Sequence, residues 1–228
     1  MTTNMNAHND GGVDGVEAPH FVYFVDPMCS WCYGFSPVIQ ALASHFASRL
    51  PVRIVVGGLR AGNTSAMRDQ DRAYIRSAWQ RVNEASGQPF DFGFFERDRF
   101  VYDTEPACRA VVTMRQRDPG AALAFLGLVS TAFYANNRDT TDTDVLCDLA
   151  EDAGQERAGF RSEFLEPETR NATFRDFLFS QQSGVEGFPC LVAGTKSRGY
   201  ALVAKGFRPA DGLVDSLEGW LARTYPSS

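Results

Sequence analysis

Two cysteines separated by two residues, Cys29 and Cys32, are the side chains of this sequence best suited to chemistry. Residues 21–25 precede them as an apolar run with the length of a buried strand, and apolar residues follow at helical spacing. Cys29 is therefore predicted at a helix N-terminus, where unpaired amides and the helix dipole favour the reactive thiolate. Cys32 follows one turn later, close enough to form a disulfide with Cys29.

Half of a zinc site is the main alternative for such a pair. A structural zinc site needs four ligands, usually from two CxxC pairs, and no second pair exists here. The three histidines are scattered at His8, His20 and His45. The pattern therefore favours redox chemistry, and we expect no metal ligands. The other cysteines are too widely spread for a disulfide framework and are interpreted as buried: Cys108, Cys147 and Cys190.

Composition limits the partners. The chain has 228 residues and a net charge of −6, with no block of Lys or Arg, so we expect neither nucleic acid nor membrane as a partner. Residues 1–19 are polar and lack the basic start and apolar middle of a secretory signal. We therefore expect a mobile N-terminal tail and a cytoplasmic protein.

The order of predicted elements is β-α-β, then helices, then β-β-α. Strands are predicted at 21–25, 51–56, 190–193 and 200–204, with helices at 30–49, 66–86, 104–117, 119–135, 145–154, within 157–183 and from Pro209. This order predicts an α/β fold with a central mixed β-sheet. Residues 20–60 and 184–228 would form that domain, and residues 61–183 an all-helical insertion.

Polar side chains are predicted to start some of these helices. Thr104, before a proline, and Thr141, with Asp144, have the pattern of helix caps. Asp26, three residues before Cys29, could cap the turn into the first helix or relay a proton to the resolving thiol. We favour the cap.

Three local features resemble the thioredoxin superfamily, and within it the DsbA-like proteins with a helical insertion. They are the run Cys29-Ser30-Trp31-Cys32 after the first strand, Pro37 inside the helix, and Gly187-Phe188-Pro189 before the third strand. Residues 26–35 and 57–60 look closer still to the FrnE-like branch, whose members are often named protein-disulfide isomerases. The resemblance covers about residues 20–222.

This resemblance implies a thioredoxin-like fold and a thiol–disulfide oxidoreductase or isomerase acting on protein or small-thiol disulfides, with an unidentified redox partner. Cys29 is then the attacking thiol and Cys32 the resolving thiol. Ser30 and Trp31, between them, would tune the redox potential. No cofactor is implied beyond the Cys29–Cys32 disulfide itself, with glutathione as a candidate co-substrate.

The resemblance also assigns a role to the late proline. Most X-Pro bonds are trans, but the family position of Pro189 implies a cis bond after Phe188. That bond would let Phe188 present backbone groups to a substrate strand beside the cysteines. Trp31 either contacts the substrate or packs on the protein, and the sequence favours neither. Arg60 is interpreted as solvated or ion-paired rather than as a charge aimed at the active face.

Two other classes stay open. Kappa-class glutathione transferases and chromene-carboxylate isomerases share the insertion architecture, so a glutathione-dependent small-molecule isomerase or transferase is the alternative function. Those enzymes usually lack the CxxC pair, which argues against them. A non-enzymatic redox or metal-binding partner protein is the third class. The phenylalanines at 90–100 are interpreted as a packed junction between the insertion and the sheet, and an open groove for client peptides is the alternative.

Overall fold

The computed structural model describes residues 18–226, so most of the predicted tail lies outside the described residues. The strands are β1 (His20–Val25), β2 (Val52–Val56), β3 (Cys190–Thr195) and β4 (Gly199–Lys205). The helices are α1 (Ser30–Phe46), α2 (Asp69–Ser86), α3 (Glu105–Arg117), α4 (Ala122–Tyr134), α5 (Thr143–Asp152), α6 (Arg157–Leu165), α7 (Pro167–Gln182) and α8 (Leu213–Thr224). Short 3-10 helices cover Ala47–Arg49 and Phe92–Glu96.

The four strands form one mixed sheet in the order β2-β1-β3-β4. β1 and β2 are parallel, as a β-α-β unit requires, whereas β3 is antiparallel to both β1 and β4. Alternate side chains of β1 serve two faces: Tyr23 packs in the main core with α1, and Phe24 stacks on Phe179 of α7. The predicted α/β fold with a central mixed sheet is confirmed.

Between β2 and β3, residues 61–183 carry α2 to α7, and we call them the helical segment. One isolated bridge, between Ala66 and Val101, is its departure from the all-helical prediction. At the centre of the helical segment, Trp79 contacts six aromatic rings. One of these rings, Phe90, also contacts Tyr33 of α1 edge to face. The phenylalanine-rich stretch is therefore a packed junction and not an open groove, as predicted, but the ring contacts that join it to the rest of the fold are made with α1, whereas the sheet was the expected partner.

The outer edge of β2 is covered by an ion pair from the helical segment. Arg115 of α3 and Asp176 of α7 lie 2.7 Å apart and are largely buried. The guanidinium donates to the Ile54 carbonyl at 2.5 Å, and the carboxylate accepts from the Val56 amide at 3.0 Å. These side chains satisfy backbone groups that an uncovered edge strand would leave unpaired.

Pro37 lies inside α1 and lacks the amide that would bond to the carbonyl one turn earlier. That carbonyl belongs to Tyr33, and it accepts a hydrogen bond from the Gln88 side chain at 3.4 Å. The helical segment therefore supplies the donor that the proline removes, next to the second cysteine.

Four predictions about helix starts are wrong in detail. Helix α4 begins at Ala122 rather than at Pro119, because the Asp118 carboxylate first closes a turn by accepting from the Gly120 and Ala121 amides. At α5 the cap is Asp142, whose carboxylate accepts from two first-turn amides, while Thr141 bonds to Asp139. Thr104 precedes α3, but its hydroxyl accepts from the Arg60 amide instead. Helix α8 begins at Leu213, later than Pro209, because the chain turns through residues 210–213 first.

Candidate active site

Cys29 is the N-cap residue of α1, as the sequence predicts. Its backbone is extended, and its sulfur accepts a hydrogen bond from the Cys32 amide at 3.4 Å. Both residues are free thiols and both are buried, Cys29 with 5% of its surface exposed and Cys32 with 2%. Cys29 is thus only slightly more accessible than Cys32, so a partner must reach the sulfur through a narrow opening.

The loop between α7 and β3 covers this sulfur. The Phe188–Pro189 peptide bond is cis, which confirms the prediction from the family position. The Cys29 thiol donates to the Phe188 carbonyl, with a sulfur–oxygen distance of 3.6 Å. Pro189 is buried and Phe188 half-buried. The two residues predicted to bind substrate therefore lie beside the cysteine pair.

The Phe188 ring rests on a glycine at the end of β2. A Cβ at Gly57 would lie 1.9 Å from the ring carbon Cζ, so only glycine leaves room for this ring. Its neighbour Gly58 has a φ of 65°, and a Cβ there would meet the Phe177 ring at 2.8 Å. In the sequence these glycines carry only a family resemblance, whereas in the structure Gly57 makes room for the Phe188 ring of the cis-proline loop and Gly58 for the Phe177 ring of α7.

Trp31 is half-buried. The centroid of its ring lies 5.8 Å from that of Phe207, and the two ring planes are inclined at 39°. It therefore packs on the protein and keeps an exposed part beside the pair. Ser30 begins α1 and is half-buried. The substrate and redox-tuning roles of these two residues stay predictions.

Asp26 is fully buried below the cysteine pair. One carboxylate oxygen accepts from the Met28 amide at 2.8 Å, which closes the turn before α1 as predicted. The other oxygen accepts from the Leu59 amide at 2.6 Å and from the Cys108 thiol at 3.5 Å. Burial raises the pKa of Asp26, while these amide bonds act in the opposite direction.

Burial has a similar effect on two of the thiols. It is the main reason that the pKa of Cys32 is raised well above the usual value, with Cys29 as the next cause. The pKa of Cys108 is also raised well above its usual value, by burial and then by the charge of Asp26. Both thiols are therefore held in the protonated form, and Cys32 needs a base before it can attack.

The helical segment also holds the two carbonyls just before Cys29. Tyr102 donates to the Met28 carbonyl at 2.7 Å, and Ser130 of α4 donates to the Pro27 carbonyl at 2.9 Å. Burial raises the pKa of Tyr102, so its phenol remains a donor. Neither residue has a sequence signal that would identify it, because each contact joins distant parts of the chain.

The structure corrects the prediction for Arg60 and confirms the one for Cys190. The Arg60 guanidinium lies 5.2 Å from the centroid of the Tyr102 ring, in a cation–π arrangement rather than an ion pair. Cys190 is 8% exposed and packs with Val22 and Phe24, which confirms that it is buried. It borders a groove of about 460 Å³ between the end of α7 and the β3–β4 hairpin.

Within residues 18–226, no helix is long and apolar enough to cross a membrane.

The fold and the site define a class. A β-α-β unit with CxxC at the start of its helix, a cis-proline loop against the first sulfur and a helical segment between β2 and β3 form a DsbA-like thioredoxin fold. The chain belongs to the family of DSBA-like thioredoxin domains, whose model matches residues 21–218.

Two solved structures share the fold over nearly the whole chain. A proposed protein disulfide isomerase from Nitrosomonas europaea is 34% identical, with a TM-score of 0.84, covering 91% of this chain and 100% of its own. Cytosolic disulfide reductase DsbM from Pseudomonas aeruginosa, also solved with GSH, is 25% identical with a TM-score of 0.75, and the match covers 90% of this chain and 100% of DsbM. Fold, family and neighbours support a thiol–disulfide oxidoreductase as the general class.

The curated relatives carry a different name. ClpXP adapter protein SpxH from Halalkalibacterium halodurans is 24% identical over 173 residues, which cover 74% of this chain. The match spans 56% of that relative's length.

Proposed function

We propose that this protein exchanges disulfides with protein or small-thiol substrates through Cys29 and Cys32. One observation carries the proposal: the Cys29 sulfur lies at the α1 N-terminus, accepts the Cys32 amide and faces the Phe188 carbonyl. A helix N-terminus stabilises negative charge, and a resolving thiol one turn away is what disulfide exchange requires.

In the reducing direction, the Cys29 thiolate attacks one sulfur of a substrate disulfide. A Cys29–substrate bond forms, the substrate S–S bond breaks, and one substrate thiolate leaves. Cys32 loses its proton to a base and attacks the Cys29 sulfur. The Cys29–Cys32 disulfide forms, the second substrate thiolate leaves, and two electrons have passed from the protein to the substrate.

Asp26 is the base we assign to the second step. It is fully buried beside the pair, and its backbone and charge both act on Cys32. Burial raises the pKa of its carboxyl, which makes the carboxylate a stronger base. From sequence alone, the turn-capping role of Asp26 is the favoured one. Both roles are compatible, because the capping bond from Met28 uses only one carboxylate oxygen, and the second oxygen, which accepts from the Leu59 amide and the Cys108 thiol, carries the charge that a base needs.

Substrate would bind across the cis-proline loop. The Phe188 carbonyl lies 3.6 Å from the Cys29 sulfur and its residue is half-buried, so an extended substrate backbone would pair there in place of the thiol. Trp31, half-buried beside Phe207, would contact the substrate on the other side of the sulfur.

We assign the protein to reducing or isomerising work in the cytoplasm, with glutathione as the candidate electron donor. DsbM, which shares the fold and is described as a cytosolic disulfide reductase solved with GSH, supports this direction. The glutathione pool of the cytoplasm keeps dithiols reduced, so a reduced Cys29–Cys32 pair would be its resting state.

The test is insulin-disulfide reduction with glutathione as electron donor, monitored by turbidity. We expect Cys29→Ser to abolish turnover and Cys32→Ser to accumulate a mixed disulfide that mass spectrometry detects. Cys147→Ser is the matched control, because Cys147 is a buried free thiol of α5 outside the site. Turnover that survives Cys29→Ser would overturn the proposal.

The adapter name of the curated relatives predicts a different outcome. An adapter function needs no thiol exchange. In that case the wild-type protein would not reduce insulin, and the Cys32→Ser variant would not accumulate a mixed disulfide.

A further inference from the structure

The helical segment holds all three residues that lead into Cys29. The contacts are Cys108 to the Asp26 carboxylate, Ser130 to the Pro27 carbonyl and Tyr102 to the Met28 carbonyl. Of these three contacts, the one from Cys108 is made to a carboxylate, whereas the other two are made to backbone carbonyls. A change at Cys108 is therefore the one expected to alter proton transfer rather than loop position alone.

We propose that Cys108 is a positioning residue for disulfide exchange: its thiol donates to Asp26 and keeps that carboxylate available as the base for Cys32. This inference rests on the proposed function and deepens it, because it assigns part of the redox chemistry to a cysteine of the helical segment.

The geometry around the carboxylate is closed. Cys108 and Asp26 each have 0% of their surface exposed. The sulfur lies 3.5 Å from the oxygen that also accepts from the Leu59 amide at 2.6 Å. Since bulk water does not reach this oxygen, its charge is stabilised by protein donors, and the loss of one donor is not replaced by solvent.

The other groups facing Asp26 come from several elements. Cys32 of α1 interacts with its backbone and charge, and the Thr104 hydroxyl hydrogen-bonds to it. The phenols of Tyr102 and of Tyr134 in α4 both feel its charge, and burial keeps both protonated. Glu105 acts on Cys108 itself. None of these contributes a positive charge that would substitute for the Cys108 donor.

The step balances without consuming Cys108. The Cys32 thiol transfers its proton to Asp26, and its thiolate attacks the Cys29 sulfur as the bond to the departing thiolate breaks. Asp26 then carries the proton, which passes to the leaving thiolate or to solvent when the mixed disulfide has gone. The Cys108 S–H bond stays intact, and its role is to lower the proton affinity of Asp26.

The experiment follows the reduced full-length protein with DTNB in a stopped-flow instrument. The first thionitrobenzoate release reports attack by Cys29, and the second reports resolution by Cys32. In Cys108→Val we expect the second release to slow about threefold at mildly acidic pH, because loss of the thiol donor raises the pKa of Asp26 and leaves less of the carboxylate ionised. The first release should be unchanged, and both proteins should converge at alkaline pH.

Cys147→Val is the matched control, since it removes another fully buried thiol of the helical segment. A double-mutant cycle with Asp26→Asn separates tuning from general loosening. In that background Cys108→Val should leave the second release unchanged, whereas a merely structural defect would persist.

Two results would overturn the inference: an unshifted pH profile of the second release in Cys108→Val, or an equal slowing in the Asp26→Asn background. If Cys108→Val does not fold, Cys108→Ala measured in the same cycle decides the point. Failure of the proposed function looks different, because the wild type would then show no Cys29-dependent pair of releases.

Discussion

Replacing Gly57 by alanine should displace the loop that covers the Cys29 sulfur. An added Cβ would lie 1.9 Å from Cζ of Phe188 and 2.3 and 2.6 Å from its two Cε atoms. Carbon atoms in ordinary contact are separated by about 3.5 Å, so the ring must retreat by about 1.5 Å. The Phe188 carbonyl belongs to the same residue and lies 3.6 Å from the sulfur, so any part of the clash that ring rotation does not relieve displaces the carbonyl as well.

The size of the effect follows from this displacement. Overpacking of a well-packed site costs about 1–3 kcal/mol of the free energy of unfolding. A misplacement of about 1 Å at a reacting centre can reduce a rate up to about 100-fold. Because the loop can yield by rotating the ring, we expect roughly a tenfold loss in the rate of insulin reduction.

The assay compares Gly57→Ala with Gly187→Ala, by chemical denaturation and by insulin reduction. Gly187 lies in the same loop, next to Phe188, but a Cβ there would meet nothing within 4 Å. We expect the control to retain both stability and turnover. Phe188→Ala added to Gly57→Ala removes the clashing ring. The double variant should therefore lose less free energy of unfolding than the sum of the losses in the two single variants.

Wild-type stability and wild-type turnover in Gly57→Ala would refute this reasoning. So would strictly additive losses in the double variant, because they would mean that the Gly57 position and the Phe188 ring do not compete for the same space.

Two further predictions concern titration. In the reduced protein, iodoacetamide should label Cys29 before Cys32, because burial and the neighbouring sulfur raise the pKa of Cys32; equal rates in peptide mapping would contradict this. The pKa of Asp26 is raised in the folded state, so the protonated carboxyl stabilises the fold at pH values below the unfolded-state pKa of about 3.9. This contribution is lost as the pH rises through the folded-state pKa. The free energy of unfolding of the wild type minus that of Asp26→Asn, from urea titrations, should therefore fall with rising pH, and a rising difference would be inconsistent.

Local signals carried the sequence predictions that succeeded. The Cys29–Cys32 spacing, the apolar periodicity of α1 and the position of Pro37 are properties of one continuous stretch, and each was confirmed in place. The cis bond before Pro189 came from family position rather than from local chemistry. Helix starts were less certain because nearby carboxylates compete for the same amides, as Asp142 does with Thr141.

The sequence by itself determined the α/β class, the mixed sheet and the pair of thiols at a helix N-terminus, because those depend on periodicity and short spacing. Only the tertiary structure decided what surrounds the pair. Cys108 reaches Asp26 across 82 positions of sequence, and Tyr102 reaches Met28 across 74. Contacts of this kind depend on how the helical segment packs against the rest of the fold, so no local pattern marks them, although they hold the residues that lead into Cys29.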